Sequence, residues 1–301
     1  PWQVKRGAVT ANVSILEILN DDMPFLVDSV LSELSDRTLT LNLVAHPVAA
    51  VLRDERGRMV ALNGEDARRE SFIHIHLDRA LADNECSELI AAIELVLSDV
   101  RVCVQDWRKM MERVSGVIAE LKYNPPPLAQ DELNEAVAFL EWLIANNFTF
   151  LGVRDYAVGG ENPVMVAVED TGLGLLRDRN AHVLRRGHEL VTATPEIIKF
   201  LKEPRPLIVM KSAVRSRVHR RVYMDYVGVK RYDAQGQLIG EFRIVGLFTS
   251  TAYTQSTRAI PYLRLKVANV TKRAGFKPDS HLGKSLANVL ENYPRDELFQ
   301  V

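Results

Sequence analysis

The sequence predicts an α+β chain in two modules, a first with strand, helix and further strands ahead of a long helix, and a second built on an antiparallel sheet. Three observations carry that expectation. Apolar residues alternate or cluster in short β-branched runs up to Leu77, the period turns helical at Cys86, and Pro125-Pro126-Pro127 breaks the chain before a strand-rich second half.

The elements follow in order. Val13 to Leu19 reads as a strand, broken by Asn20-Asp21-Asp22-Met23-Pro24, with Asp22 as N-cap and Pro24 in the first helical turn. The helix runs to about Asp36 on a stripe of Leu26, Val27, Val30, Leu31 and Leu34. Thr40 to Arg53 reads as one strand, Asp54-Glu55-Arg56-Gly57 as its turn, and Met59 to Leu62 as the returning strand. Phe72, Ile73, Ile75 and Leu77 mark another. From Cys86 the apolar spacing is helical as far as Leu121. Val100, Val102 and Val104 leave a short strand open, but the unbroken period and the lack of Gly or Pro favour helix.

The triple proline is stiff and marks a domain boundary. Gln130 to Ala145 is an amphipathic helix. Strands are expected at Phe148–Tyr156, Val164–Val168, Leu207–Met210, Val218–Tyr232 and Leu238–Thr249, the last two joined by Asp233-Ala234-Gln235-Gly236. Helices are expected at Pro195–Lys202, Pro261–Arg273 and His281–Asn292. The expected division is 1–122, a linker and helix at 123–147, a second α+β domain at 148–292, and a connecting segment at 293–301.

The composition excludes whole classes of function. The 301 residues hold 38 Lys plus Arg against 39 Asp plus Glu, so no global basic surface is available for nucleic acid or an anionic membrane. No apolar run is long enough for a membrane span and no signal-peptide pattern opens the chain, so a cytoplasmic location is expected. Cys86 and Cys103 lack the spacing of a disulfide framework or zinc knuckle. The chain opens at Pro1 and stops on Leu298-Phe299-Gln300-Val301, from which a piece of a longer protein is expected.

Most catalytic signatures fail on spacing. Gly283-Lys284-Ser285 has Pro278 where a phosphate loop needs Gly, and Gly172-Leu173-Gly174 lacks the third Gly of a dinucleotide fingerprint. His188-Glu189 has Thr192 where a zinc protease needs His. The sequons at Asn12, Asn147 and Asn269 carry no weight without secretion. His74 and His76 share a strand face, a geometry compatible with metal ligation, but the plainer reading is a polar face and no metal site is assigned.

Two clusters stand out. A helix N-terminus flanked by acids suits an amino acid, whose carboxylate meets free amides and whose ammonium meets carboxylates; Asn20, Asp21, Asp22, Phe25, Asp28 and Ser29 are its candidates. The plainer reading is capping alone. Lys211, Arg215, Arg217 and His219 form a second candidate site, for anions, with 215, 217 and 219 on one strand face; the plainer reading is a solvated edge. A self-contained hydrolase using His219 and Asp225 and an RNA-binding module on the basic strand remain as alternatives.

The segment Asn20 to Val30 resembles the first strand-to-helix turn of an ACT domain, a ferredoxin-like module. Asp21 to Val30, Phe150-Leu151-Gly152, Met224-Asp225-Tyr226, Gly246 to Ser250 and Tyr293 to Phe299 together resemble the N-terminal regulatory region of the large bacterial NAD-specific glutamate dehydrogenases. The resemblance implies an ACT-like module followed by a PAS/GAF-like module, without catalytic residues or a cofactor in this stretch. It implies NAD and glutamate chemistry in the parent, and as partners the parent's other domains, identical subunits and an amino-acid effector. Phe25 stands where an ordinary ACT turn has Gly, which would crowd a ligand. Exposed strand edges and the Trp107/Met110/Met111/Val114 helix face are the expected contact surfaces.

Overall fold

A computed structural model describes residues 2–6, 9–159, 164–178, 181 and 204–299 and divides the chain into two units. The first takes residues 1–104 with 216–222, the second 105–215 with 223–301.

In the first unit, strands β1 (Trp2–Arg6) and β2 (Val9–Val13) pair as a separate antiparallel hairpin. The main sheet holds β3 (Ile15–Asp21), β4 (Leu41–Ala45), β5 (Val48–Arg53), β6 (Met59–Leu62) and β7 (Arg68–Leu77), and every pairing is antiparallel. Its order is β3-β7-β5-β6, with β4 also on β7. The single strand expected over Thr40–Arg53 is therefore split. Pro47 has no N–H to donate, so the chain steps at His46-Pro47 and resumes on the same partner, Ala45 opposite His74 and Val48 opposite Ser71.

Helix α1 (Leu26–Asp36) buries Leu26, Val30 and Leu34, and β7 turns Ile73, Ile75 and Leu77 into the same core. Helix α2 (Asp83–Tyr123) is continuous for 41 residues. Within the first unit its buried residues are Leu89, Ile93, Val96, Val100 and Cys103, spaced three or four apart. Val100 thus belongs to the helical stripe and the valine run is not a strand. Among the described residues of this unit no strand follows α2, and β3 pairs only with β7.

The second unit receives the remainder of α2 and packs it with α3 (Gln130–Trp142). Its antiparallel sheet contains β8 (Phe148–Gly159), β9 (Val164–Ala167), β10 (Leu173–Gly174), β11 (Leu207–Arg215), β12 (Tyr223–Tyr232) and β13 (Leu238–Phe248) in the order β10-β8-β13-β12-β11, with β9 on β8. The Asp233–Gly236 turn forms as expected, with the Gly236 N–H donating to the Asp233 carbonyl. Phe139, Trp142, Phe148, Phe248 and Phe299 form the aromatic centre of the core; the last two rings stack at 4.1 Å.

Four helices close the described chain: α4 (Ser250–Thr254), α5 (Leu263–Arg273), α6 (His281–Asn292) and α7 (Arg295–Phe299). The helix expected at 195–202 lies outside the described residues. Met110 and Val114 are fully buried in the second unit's core, while Trp107 is half exposed. The helix face expected as a contact surface is therefore mostly interior, because the same stripe is what α2 offers its own unit.

Candidate functional site

The Asn20–Ser29 segment begins as sheet. Asp22 continues the ladder by donating its N–H to the Arg69 carbonyl, and its carboxylate accepts from Arg69 Nε at 3.1 Å. Asp22 is therefore not the N-cap expected of it: a residue still in the ladder cannot also fold its side chain over the first helical turn. The cap is Phe25, in the left-handed region at φ 72°. Its carbonyl accepts both the N–H and the hydroxyl of Ser29. Asn20 Nδ2 donates to the Asp21 carbonyl and its Oδ1 accepts from Arg101 at 2.7 Å.

The basic stretch does not continue as a strand. β11 ends at Arg215 and β12 resumes only at Tyr223, five residues after the expected start at Val218. Between them the Ser216 hydroxyl donates to the Val218 carbonyl and accepts the Val218 N–H, while the Ser216 N–H donates to the Val222 carbonyl. That local closure makes a tight turn, so the alternation that would have put Arg215, Arg217 and His219 on one face is lost.

The four residues of the second set consequently part company. Lys211 pairs with Asp225 at 2.7 Å and Asp296 at 2.8 Å. Arg215 lies over the Tyr223 ring. Arg217 Nε pairs with Asp99 at 2.6 Å. His219, at φ 67°, donates its backbone N–H to Ser29 Oγ at 2.8 Å and sets Nδ1 3.1 Å from an Asp28 carboxylate oxygen. Its ring lies 5.2 Å from that of Phe25, and its carbonyl accepts from Ser32.

The structure thus joins members of two clusters that local patterns kept apart. Phe25, Asp28 and Ser29 meet His219, and Arg221 adds ion pairs to Glu33 at 3.1 Å and Asp36 at 3.4 Å. Asp28, Ser32, Asp36, His219 and Arg221 line an open cleft of about 610 Å³. Ser32 and Asp36 were not singled out from the sequence; they follow Asp28 at helical i,i+4 steps along the outward face of α1, which is the signal that could have found them.

The two hydrolase candidates each have partners within their own unit: His219 contacts Asp28, and Asp225 pairs with Lys211 and accepts the Phe248 N–H. Burial raises the Asp225 carboxyl above its ordinary range and outweighs the attraction of Lys211. Burial pulls Lys211 down, but its two carboxylate partners prevail and the net direction is up.

The two glycine motifs have structural roles. At Gly174, φ is 60°, a Cβ would stand 2.2 Å from the Leu151 carbonyl oxygen, and the N–H donates to buried Asp106. Gly283 sits in the first turn of α6 and donates its N–H to the Ser280 hydroxyl, the N-cap. Among the described residues no helix is long and apolar enough to cross a membrane.

Comparison with known proteins gives these parts a family. A model of the glutamate dehydrogenase ACT1 domain matches residues 3–93, and one of the glutamate dehydrogenase helical motif 1 matches residues 260–301. The NAD-specific glutamate dehydrogenase of Pseudomonas aeruginosa is 38% identical over 308 residues, covering 99% of this chain and 18% of its own length. That of Halomonas elongata is 37% identical, covering 96% and 18%. That of Mycobacterium tuberculosis is 24% identical, covering 94% and 17%. The chain therefore spans less than a fifth of these relatives. With an ACT1 match on its first unit and near-complete coverage by its relatives, it belongs to the NAD-specific glutamate dehydrogenase family.

Proposed function

We propose that this chain is a non-catalytic regulatory and assembly region of a glutamate dehydrogenase whose catalytic residues and NAD site lie elsewhere in the parent. The parent reaction would be L-glutamate with NAD and water to 2-oxoglutarate, ammonia and NADH. The observation that carries this reading is the ACT1 match over the unit that holds the Asn20–Ser29 turn, in relatives more than five times as long. The proposed organisation is an ACT-like domain over 1–122, a linker and helix over 123–147, a PAS/GAF-like domain over 148–292 and a connection over 293–301. The second unit's antiparallel sheet, with α3 packed on it, supports the PAS/GAF-like part of this reading. The partners are the parent's remaining domains and identical subunits, in a cytoplasmic assembly.

The effector site of this reading is the cleft on α1. It presents carboxylates from Asp28 and Asp36 beside the Arg221 guanidinium, a charge pattern that suits a zwitterion. Asn20, Asp21, Asp22, Phe25 and Ser29 shape the turn at its head. Titration calorimetry of the chain with amino acids tests it. Heat that disappears in Asp28→Asn and Arg221→Gln supports an effector site. No heat at millimolar ligand sinks the sensing role and leaves assembly, which sedimentation equilibrium reads directly. If an effector binds, coupling to the active site requires unequal affinity for two states of the parent.

A further inference from the structure

The outward face of β7 carries an arrangement that the regulatory reading does not use. His74 and His76, two residues apart, project to the same side, and Glu17 on β3 stands directly opposite His74. His74 Nδ1 lies 2.9 Å from a Glu17 carboxylate oxygen. A carboxylate only accepts, so that contact fixes the proton of His74 on Nδ1 and leaves Nε2 with its lone pair. His74 Nε2 is in turn 2.7 Å from Nε2 of His76. With His76 in its Nε2–H form this is an N–H···N hydrogen bond into the lone pair of His74; with both Nε2 atoms unprotonated, the same geometry aims two lone pairs at one point, where a metal ion can take the place of the shared proton.

We propose that His74 and His76 form a binding site for a late first-row divalent ion, copper, nickel or zinc, with Glu17 as the carboxylate that orients His74. The donor set favours these ions over magnesium or calcium, which prefer oxygen. Metal–imidazole bonds of about 2.0–2.1 Å at angles between square and tetrahedral put the nitrogens roughly 2.9–3.4 Å apart. The pair thus needs to open by only a few tenths of an ångström, a small rotation about the side-chain bonds. Donation of the remote nitrogen to a carboxylate is the usual support of a metal-binding histidine, since it sets the tautomer and raises ligand basicity. Access is open: the His74 side chain is 24% exposed and that of Glu17 59%. Among the described residues no three His, Cys, Asp or Glu side chains converge on one point, so water fills the other coordination positions.

The test is titration of the chelator-treated 301-residue chain with nickel, zinc and copper chlorides, beside a His74→Asn/His76→Asn double variant and Glu17→Gln. The wild-type chain is expected to bind one ion with an affinity that falls at least tenfold in the double variant. Glu17→Gln is expected to weaken binding by about tenfold, the lower end of the effect of losing such a supporting contact. The copper complex should show paramagnetic-resonance splitting from two imidazole nitrogens, a signature that a purely structural role would not give. Circular dichroism of each variant shows whether the fold is kept; both histidines lie on the outward sheet face, so it should be. No binding by the wild-type chain, or equal binding by the folded double variant, overturns the site. Unchanged affinity in Glu17→Gln overturns the role given to Glu17.

Discussion

Phe25 keeps a glycine's backbone conformation while carrying a phenyl ring. Left-handed backbone costs a non-glycine residue about 1–2 kcal/mol, and Phe25 has its carbonyl held twice by Ser29 and its ring set on His219. The sequence marks this position only as a departure from the usual Gly and suggests crowding. The conformation and the ring's partner come from contacts 194 positions away, the separation of Phe25 from His219. Two substitutions separate strain from contact. Phe25→Ala loses the ring and keeps the strain, so it should cost about 1–2 kcal/mol. Phe25→Gly relieves the strain against a larger unfolded-state entropy and should stay within about 1 kcal/mol of wild type. Urea midpoints decide, and an alanine variant as stable as the glycine variant would remove the strain argument. Gly174 is the opposite case: Gly174→Ala places a Cβ against backbone at positive φ and should cost about 2 kcal/mol or more in the same assay.

At the scale of elements, α2 was legible throughout because its signal is a local period, and Val100 resolves to helix by continuing that stripe. Its start is set by Glu85, whose carboxylate accepts the Ala82 N–H and pairs with Arg79 at 2.7 Å. The Arg79 hydrogen bonds, then the Ala82 N–H, lower the Glu85 carboxyl to about 2. A depressed carboxyl stabilises the fold above its unfolded value of about 4.3 and loses that contribution as pH falls toward the folded value. The stability advantage of wild type over Glu85→Gln should therefore be full at neutral pH and shrink between about pH 4.5 and about pH 2, as read by denaturation at stepped pH. Elements set by side chains rather than periods were not legible. The Ser216 turn interrupts a stretch whose composition reads as strand, and Pro47 divides another without leaving its partner. In the candidate site the residue types were legible, but the meeting of Ser29 with His219 across 190 positions leaves no local trace.

At the scale of the whole chain, each of the two units carries its own apolar inventory. The first core gathers Val30, Leu34, Ile73, Ile75 and Val96; the second gathers Phe139, Leu140, Phe148, Val227 and Phe248. Helix α2 contributes residues to both, so the division does not coincide with an element boundary. Separate cores predict separable unfolding. Leu34 and Phe139 are both fully buried, so Leu34→Ala should cost about 2–5 kcal/mol and Phe139→Ala about 3–5 kcal/mol, each in its own unit. Trp142 stacks on Phe139 at 5.7 Å, so in a Trp2→Phe/Trp107→Phe background its fluorescence reports on the second core. In urea, Leu34→Ala should lower a transition seen by far-ultraviolet dichroism while leaving the Trp142 fluorescence midpoint in place, whereas Phe139→Ala should move the fluorescence midpoint. If both substitutions shift both signals by the same amount, the continuous helix binds the two cores into one cooperative body and the modules are divisions of contact only.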